Sequence, residues 1–113
     1  MASDSNMSPE EPRRDEIDAL SAPTMIEFGA TWCRHCQAAQ ALIAQALADF
    51  PLVDHLKIED GPGRPLGRSF TVKLWPTLIF LKQGKEVARL VRPTDVQLIK
   101  DALQSLGQAG KST

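Results

Sequence analysis

The two cysteines of the chain, Cys33 and Cys36, lie where a predicted strand gives way to a predicted helix. Before them, residues 24–30 (TMIEFGA) form a short, partly β-branched and aromatic run, which is typical of a strand. After them, the segment to Phe50 is rich in Ala, Leu and Gln, and its apolar residues recur at helical spacing. The cysteine pair therefore marks the joint of a strand–helix unit, and this joint restricts the folds that the chain can adopt.

The remaining elements complete a mixed sheet. A helix is predicted over 12–21, a second strand over 52–58 after Pro51, and a short helix over 64–70. Strands at 77–82 and 86–91 flank Gln83-Gly84 and predict an antiparallel hairpin.

The chain ends in one more helix. A capping box of Thr94 and Gln97 opens it, and Gly107 ends it after Leu106. The order α-β-α-β-α-β-β-α predicts an α/β fold, with a βαβ unit and a hairpin in one mixed four-stranded sheet and helices on both faces.

Length and charge indicate a single small domain. The chain has 113 residues and a net charge of −1, and we place the domain at 12–107, between a disordered tail at 1–11 and a flexible tail at 108–113. No basic stripe favours nucleic acid, and no apolar run approaches the ~20 residues of a membrane span. No signal-like apolar region occupies the first twenty residues, so we expect a cytoplasmic monomer, or a periplasmic one if a signal peptide has been removed.

The spacing of Cys33 and Cys36 leaves several kinds of site open. A bond between them would close a very short loop and contribute little as a staple. Zinc would need about four ligands, and only His35 and His55 remain beside the cysteines. A pair of inert buried cysteines is the remaining structural alternative.

A reactive pair fits the position best. The unpaired N–H groups and the dipole at a helix N-terminus favour a thiolate, which is the nucleophilic form of cysteine. Three residues of separation place both sulfurs on the first turn, close enough to form a disulfide. We expect Cys33 to be more exposed and to attack first, and Cys36 to be shielded and to resolve the mixed disulfide.

Three segments together resemble the thioredoxin superfamily: IEFGATWCRHC, then WPT, then FLKQGKEV. The resemblance covers about residues 13 to 106 and implies a three-layer α/β/α sandwich. It also implies a thiol–disulfide oxidoreductase that exchanges disulfides with protein partners and an unidentified redox donor. Neither a cofactor nor a metal is implied.

The resemblance assigns roles around the pair. Cys33 would attack and Cys36 would resolve, while Pro76 would be the cis-proline that faces them. Trp75 would lie in the groove where a partner's backbone pairs with the protein, and Trp32 would flank the same groove. Ordinary core packing of the tryptophans, and a trans-proline at a strand edge, are the structural alternatives.

Glu27 stands where the family commonly has a buried Asp that is associated with proton transfer to the resolving cysteine. His55 aligns with the lysine that partners this acid, so we predict a Glu27–His55 pair beneath Cys36. Apolar burial would raise the pKa of Glu27. The alternative is that both side chains face solvent.

Three positions depart from the family pattern. Gly29 replaces a common Trp, which opens space near the site, and Ala41 replaces a proline that kinks the long helix. Arg92, between Val91 and Pro93, replaces a glycine and would narrow or charge the partner groove.

Arg34 and His35 bear on the direction of electron flow. Positive charge near Cys33 stabilises the reduced form and makes the disulfide a stronger oxidant. The C-x-H-C arrangement is similar to disulfide-forming oxidases and isomerases, so the hypothesis is a pair more oxidising than an ordinary thioredoxin. The rival is a non-catalytic, redox-switched interaction module, and a third possibility is an iron–sulfur or zinc carrier.

Overall fold

The computed structural model describes residues 11–107. Its elements confirm the predicted order: α1 (Arg14–Asp18), β1 (Thr24–Gly29), α2 (Arg34–Leu47), β2 (Asp54–Glu59), α3 (Pro65–Ser69), β3 (Thr77–Lys82), β4 (Lys85–Val91) and α4 (Val96–Gln104). Residues 1–10 of the predicted N-terminal tail and the whole of the tail at 108–113 lie outside the described residues. No helix within 11–107 is long and apolar enough to cross a membrane.

The sheet has four strands in the order β2-β1-β3-β4. β1 pairs with β2 in parallel, while the β1–β3 and β3–β4 pairs are antiparallel. The predicted mixed sheet, with one βαβ unit and one hairpin, is confirmed. It places the end of β1, and hence the cysteine pair, in the middle of the sheet rather than at an edge.

Helices cover both faces of the sheet. Met25 of β1 belongs to a core that includes residues of α2 and α4, such as Ile43 and Leu103. Ile26, the next residue along the strand, belongs to a second core with residues of α1 and α3. Because successive side chains of a strand alternate between faces, odd-numbered residues of β1 point toward α2. This confirms the three-layer α/β/α arrangement and predicts where Glu27 points.

The helix ends differ from the sequence prediction. α2 ends at Leu47 rather than Phe50, and the chain turns through a hydrogen bond from Phe50 N to Leu47 O. Phe50 still joins the core, because the turn keeps its ring pointing inward. The capping residue of α4 is Asp95 rather than Thr94, since its carboxylate accepts from Gln97 N at 2.8 Å.

Glu11 corrects the predicted domain boundary. The sequence places it in the N-terminal tail, but its Oε1 accepts a hydrogen bond at 2.9 Å from Leu66 N in the first turn of α3. Arg64, the capping residue of α3, offers no side-chain cap, so Glu11 satisfies an N–H that the helix leaves unpaired. The packed domain therefore includes Glu11.

The hairpin turn between β3 and β4 forms at Gln83-Gly84, as predicted, with positive φ at both residues. A Cβ on Gly84 would collide with the carbonyl oxygen of Asp18 at the end of α1. Glycine is required there for conformation and for space.

Candidate functional site

Cys33 caps the N-terminus of α2. It is extended (φ −77°, ψ 118°), and its Sγ accepts a hydrogen bond from Cys36 N at 3.1 Å. This places one sulfur on the free N–H groups of the helix, at the strand-to-helix joint that the sequence predicts. Both cysteines are free thiols. Cys33 is 6% exposed and Cys36 is 3% exposed, so both residues are buried and Cys33 is only slightly the more exposed of the two.

The sulfur of Cys36 lies over the end of β1. A Cβ built on Gly29 would stand only 2.6 Å from Cys36 Sγ, so the glycine provides the space that the sulfur occupies. Burial first, then the hydrogen bond with Cys33 and the negative charge of Glu27, together raise the pKa of the Cys36 thiol to about 12. Cys36 is therefore a thiol at neutral pH and needs a base before it can attack.

Glu27 is fully buried at the middle of β1 and points toward α2. Its Oε1 lies 2.9 Å from His55 Nε2, and its Oε2 accepts from Gln40 Nε2 at 2.7 Å. The predicted Glu27–His55 contact is present, and the solvent-facing alternative is wrong for Glu27. In the register of the parallel pair, however, Lys57 lies directly opposite Glu27, while His55 lies opposite Met25. His55 precedes Lys57 by two residues on the same face of β2, and its imidazole extends sideways to the Glu27 carboxylate.

The expected direction of the Glu27 pKa is wrong. Burial is the largest influence and raises the pKa, but the hydrogen bonds from His55 and Gln40 and the charges of His55 and Lys57 lower it by more. The net result is a pKa below the ordinary 4.5. Glu27 is thus a buried carboxylate that stays ionised because its donors replace the lost water.

Gln40 connects these groups and was not singled out by the sequence. Its Nε2 donates to Glu27 Oε2 and also to the carbonyl oxygen of Cys36 at 3.0 Å, and its Oε1 accepts from Lys57 Nζ at 3.0 Å. Helical spacing could have identified it, because Gln40 follows Cys36 by four residues and therefore shares its face of α2. Lys57 follows His55 by two residues and shares its face of β2 in the same way.

A cleft of about 180 Å³ opens beside this network. It reaches from the buried carboxylate to the inner cysteine, and its lining residues are Glu27, Ala30, Thr31, Cys36, Gln37, Gln40 and Lys57.

The two tryptophans form an aromatic rim beside the cysteines. Trp32 is 71% exposed, and its ring meets that of Trp75 edge to face, with centroids 5.3 Å apart. Trp75 is half-buried, packs against the cluster of Ala30 and the two cysteines, and donates from Nε1 to Asp60 Oδ2 at 2.9 Å. Core packing is therefore wrong for Trp32. Asp60, which orients Trp75, had no signal in the sequence beyond its place at a strand end.

Arg92 fastens the segment that faces the cysteines. The Trp75–Pro76 peptide bond is cis, and Pro76 is buried. Arg92 N donates to the carbonyl oxygen of Pro76 at 2.9 Å, and Arg92 Nε donates to that of Trp75 at 2.7 Å. Arg92 has a φ of 51°, which a side chain other than glycine rarely adopts, and these two hydrogen bonds hold it there.

Arg34 and His35 occupy the first two helical positions of α2, and both are exposed. Neither side chain makes a hydrogen bond or an ion pair within residues 11–107. In the same part of the chain, no three His, Cys, Asp or Glu side chains converge as a metal site. A parallel βαβ unit, an antiparallel hairpin and a Cys-x-x-Cys pair capping the intervening helix define a thioredoxin-like α/β/α protein with a dithiol site.

Comparison with known proteins agrees with this class. The family model described as Thioredoxin matches residues 9–105, and the chain therefore belongs to the thioredoxin family. Thioredoxin 2 of Pseudomonas aeruginosa PAO1, solved in its reduced form, is 58% identical, with a TM-score of 0.81 over 90% of this chain and 94% of that one.

Curated relatives are more distant. Thioredoxin of Chlamydia muridarum is 37% identical over 87 residues, which is 76% of this chain and 80% of that protein. Thioredoxin H-type 1 of Nicotiana tabacum is 31% identical over 67 residues, which is 59% of this chain. The chain spans about half the length of such plant relatives, 53% of the tobacco protein.

Proposed function

We propose that the protein is a thiol–disulfide oxidoreductase that exchanges disulfides with protein partners through Cys33 and Cys36. The observation that carries the proposal is the contact between the two cysteines: Cys33 Sγ caps α2 and accepts from Cys36 N at 3.1 Å. Unpaired N–H groups at a helix N-terminus favour negative charge on a capping sulfur, and the spacing puts the second thiol next to the first. Membership of the thioredoxin family supports the same chemistry.

In the reducing direction, the Cys33 thiolate attacks one sulfur of a partner disulfide. A mixed disulfide forms, and the other partner sulfur leaves as a thiolate. Cys36 then loses its proton and attacks Cys33 Sγ, which forms the Cys33–Cys36 disulfide and releases the second partner thiolate. Two electrons pass to the partner, and an external donor reduces the new disulfide by the reverse exchange.

Glu27 is the proposed acceptor of the Cys36 proton. It lines the same cleft as Cys36 and is held as a carboxylate by His55 and Gln40. His55, with its side chain 25% exposed, gives the buried carboxylate a neighbour that reaches solvent. Proton transfer between Cys36 and water would then pass through Glu27 and His55.

The partner surface proposed for this chemistry is the rim of Trp32, Trp75, Pro76 and Arg92. A substrate that reaches Cys33 must pass the exposed ring of Trp32 and the half-buried ring of Trp75. The guanidinium of Arg92 uses Nε on the Trp75 carbonyl, and within residues 11–107 its two Nη groups make no hydrogen bond, so we propose that they meet a ligand. We therefore propose partners that place a carboxylate near the reacting disulfide.

Arg34 and His35 favour a pair more oxidising than an ordinary thioredoxin, because the positive charge of Arg34 at the start of α2 stabilises the reduced form and the C-x-H-C arrangement is similar to that of disulfide-forming oxidases. Titration of the purified protein against glutathione tests this, and replacing Arg34 by Gly and His35 by Pro should lower the potential. A wild-type potential at or below about −270 mV would contradict the proposal. The measurement is made in vitro, because a reducing cytoplasm would keep the pair reduced whatever its potential.

Dithiol-driven insulin reduction tests the proposed activity. The wild type should turn over, Cys33→Ser should abolish turnover, and Cys36→Ser should accumulate mixed disulfides with partners. Full activity of Cys33→Ser would refute the mechanism. A redox-dependent complex without turnover would instead favour the rival function, an interaction module switched by the same pair.

A further inference from the structure

We propose that Gln40 is a positioning residue that keeps Glu27 charged beside Cys36 and so sets the lowest pH at which the resolving step runs. This proposal rests on the disulfide exchange proposed above. It adds a residue of α2 to a site that the sequence assigned to the cysteines, Glu27 and His55.

The contacts of Gln40 fix its orientation. Both N–H groups of its amide are used, on Glu27 Oε2 at 2.7 Å and on the carbonyl oxygen of Cys36 at 3.0 Å. Lys57 Nζ donates to its Oε1 at 3.0 Å. A flipped amide would turn its NH₂ group toward the ammonium of Lys57 and its oxygen toward the carboxylate, which would place like groups together on both sides.

The same contacts determine the charge of Glu27. The titratable groups that interact with the carboxylate are His55 and Lys57 from β2 and Cys36 at the start of α2. From the other neighbour strand, β3, Leu78 lies opposite Glu27 and carries no charge. Gln40 is the uncharged donor in this set, and Lys57 reaches the carboxylate through its amide. Removing that amide leaves a fully buried oxygen with one donor fewer.

Glu27 must be ionised for the resolving step. In the mixed disulfide, Cys36 gives its proton to the Glu27 carboxylate while its sulfur attacks Cys33 Sγ, and the partner sulfur leaves as a thiolate that water protonates. A protonated Glu27 cannot accept that proton. The hydrogen bond from Gln40 to the Cys36 carbonyl also ties the backbone of the resolving cysteine to its base.

An NMR titration tests the electrostatic part without relying on turnover. The ¹³C signal of the Glu27 carboxyl is followed with pH in the reduced wild type and in Gln40→Met. The midpoint should rise by about one pH unit in the variant, because a charged acceptor loses one hydrogen bond. Gln37→Met is the matched control, since Gln37 lines the same cleft but donates to Thr31 O. An unchanged midpoint in Gln40→Met, or an equal rise in Gln37→Met, would overturn the proposal.

A kinetic experiment tests the functional part. Ellman's reagent releases one thiolate when Cys33 attacks and a second when Cys36 resolves, so stopped-flow absorbance separates the steps. In Gln40→Met, the acid limb of the second phase should move upward by the same amount as the NMR midpoint, while the first phase stays unchanged. Profiles that coincide with the wild type would sink the role of Gln40.

Two further observations keep the outcomes distinct. A wild type that releases a single thiolate and does not reduce insulin would defeat the proposed function itself, whatever Gln40 does. Gln40→Glu serves if Gln40→Met does not fold, because it keeps the length of the side chain and a partner for Lys57. It should raise the Glu27 midpoint further, since it places a second carboxylate beside the first, and an unchanged midpoint would again overturn the proposal.

Discussion

The Nε2 atom of His55 lies 2.9 Å from Oε1 of Glu27, a carboxylate with no exposed surface. The two residues are not directly opposite in the strand register, because His55 precedes Lys57, the residue opposite Glu27, by two residues. One end of the pair is therefore sealed beneath the cysteines, while the other, with a quarter of its side chain exposed, meets water. A buried charge that touches a partly exposed imidazole has a route for protons that a sealed carboxylate would lack.

His55→Ala should destabilise the folded protein. It removes one of two direct donors to a buried carboxylate, and an unmet charged acceptor costs about 1–3 kcal/mol. Urea unfolding of the reduced protein at pH 7 measures the change. His35→Ala is the matched control, because His35 is exposed and should change stability by no more than about 0.5 kcal/mol. Equal effects of the two substitutions would contradict a structural role for His55.

Glu27 should make stability depend on pH in the acid range. Its pKa is lower in the folded protein than the ordinary 4.5, so its contribution is fully present above pH 4.5 and is lost as pH falls through the folded pKa. The difference in unfolding free energy between the wild type and Glu27→Gln should therefore shrink as the pH is lowered from 7 to 3. A difference that stays constant over this range would show that folding does not lower the pKa of Glu27.

The fold and the cysteine pair could be predicted because they depend on local patterns. Strand and helix periodicity, the hairpin glycine and the strand-to-helix joint are all encoded within a few neighbouring residues. The sequence predicted Thr94 as the capping residue of α4, one residue before the true cap, Asp95. Both residue types can cap a helix, and the backbone conformation decides between them.

The polar network could not be predicted in the same way. Gln40 lies 13 residues from Glu27 and 17 from Lys57, so these contacts exist only after α2 has packed on the sheet. The burial of Glu27 was implied by the resemblance to the thioredoxin superfamily, with a solvent-facing side chain as the alternative. The direction of its pKa shift could not be predicted, because burial raises the pKa, hydrogen-bond donors lower it, and the donors come from other elements.

Alkylation should distinguish the two thiols. The pKa of Cys36 is raised to about 12 and its sulfur is buried, so at pH 8 it offers almost no thiolate. Iodoacetamide should therefore modify the reduced, folded protein once, at Cys33, as peptide mass spectrometry can show. Urea-unfolded protein, as the control, should be modified at both cysteines. Comparable modification of Cys36 in the folded protein would contradict the assigned order of attack.

Gly29→Ala should destabilise the folded protein, because the added methyl group would clash with the sulfur of Cys36. The new methyl would stand 2.6 Å from Cys36 Sγ but 3.6 Å from Cys36 Cβ, so the clash is confined to the thiol. We expect a loss of about 1–3 kcal/mol in urea unfolding of the reduced protein. The same substitution in a Cys36→Ala background should cost much less, which is a double-mutant test of the contact. An equal loss of unfolding free energy in both backgrounds would show that the strain does not come from the contact with Cys36 Sγ.

Arg92 should select substrates by charge. Its Nε is fixed on the Trp75 carbonyl at 2.7 Å, and its exposed guanidinium lies at the rim that we propose as the partner surface. A pair of disulfide peptides that differ by Glu against Gln beside the reacting cysteine measures the preference. The wild type should favour the Glu peptide in kcat/KM by about twofold to fivefold, which corresponds to about 0.4–1 kcal/mol for an exposed charge pair, and salt should weaken the preference.

Arg92→Gln should remove that preference while turnover of the Gln peptide changes little, because the glutamine can still donate to the Trp75 carbonyl. Arg68→Gln is the control, since it removes the same charge from an exposed position in α3, on the face of the sheet away from α2. If the wild type treats both peptides alike, or if Arg68→Gln loses the preference as fully as Arg92→Gln, selection by Arg92 is wrong. In the second case the charge of the whole protein, rather than one guanidinium at the rim, attracts the acidic peptide.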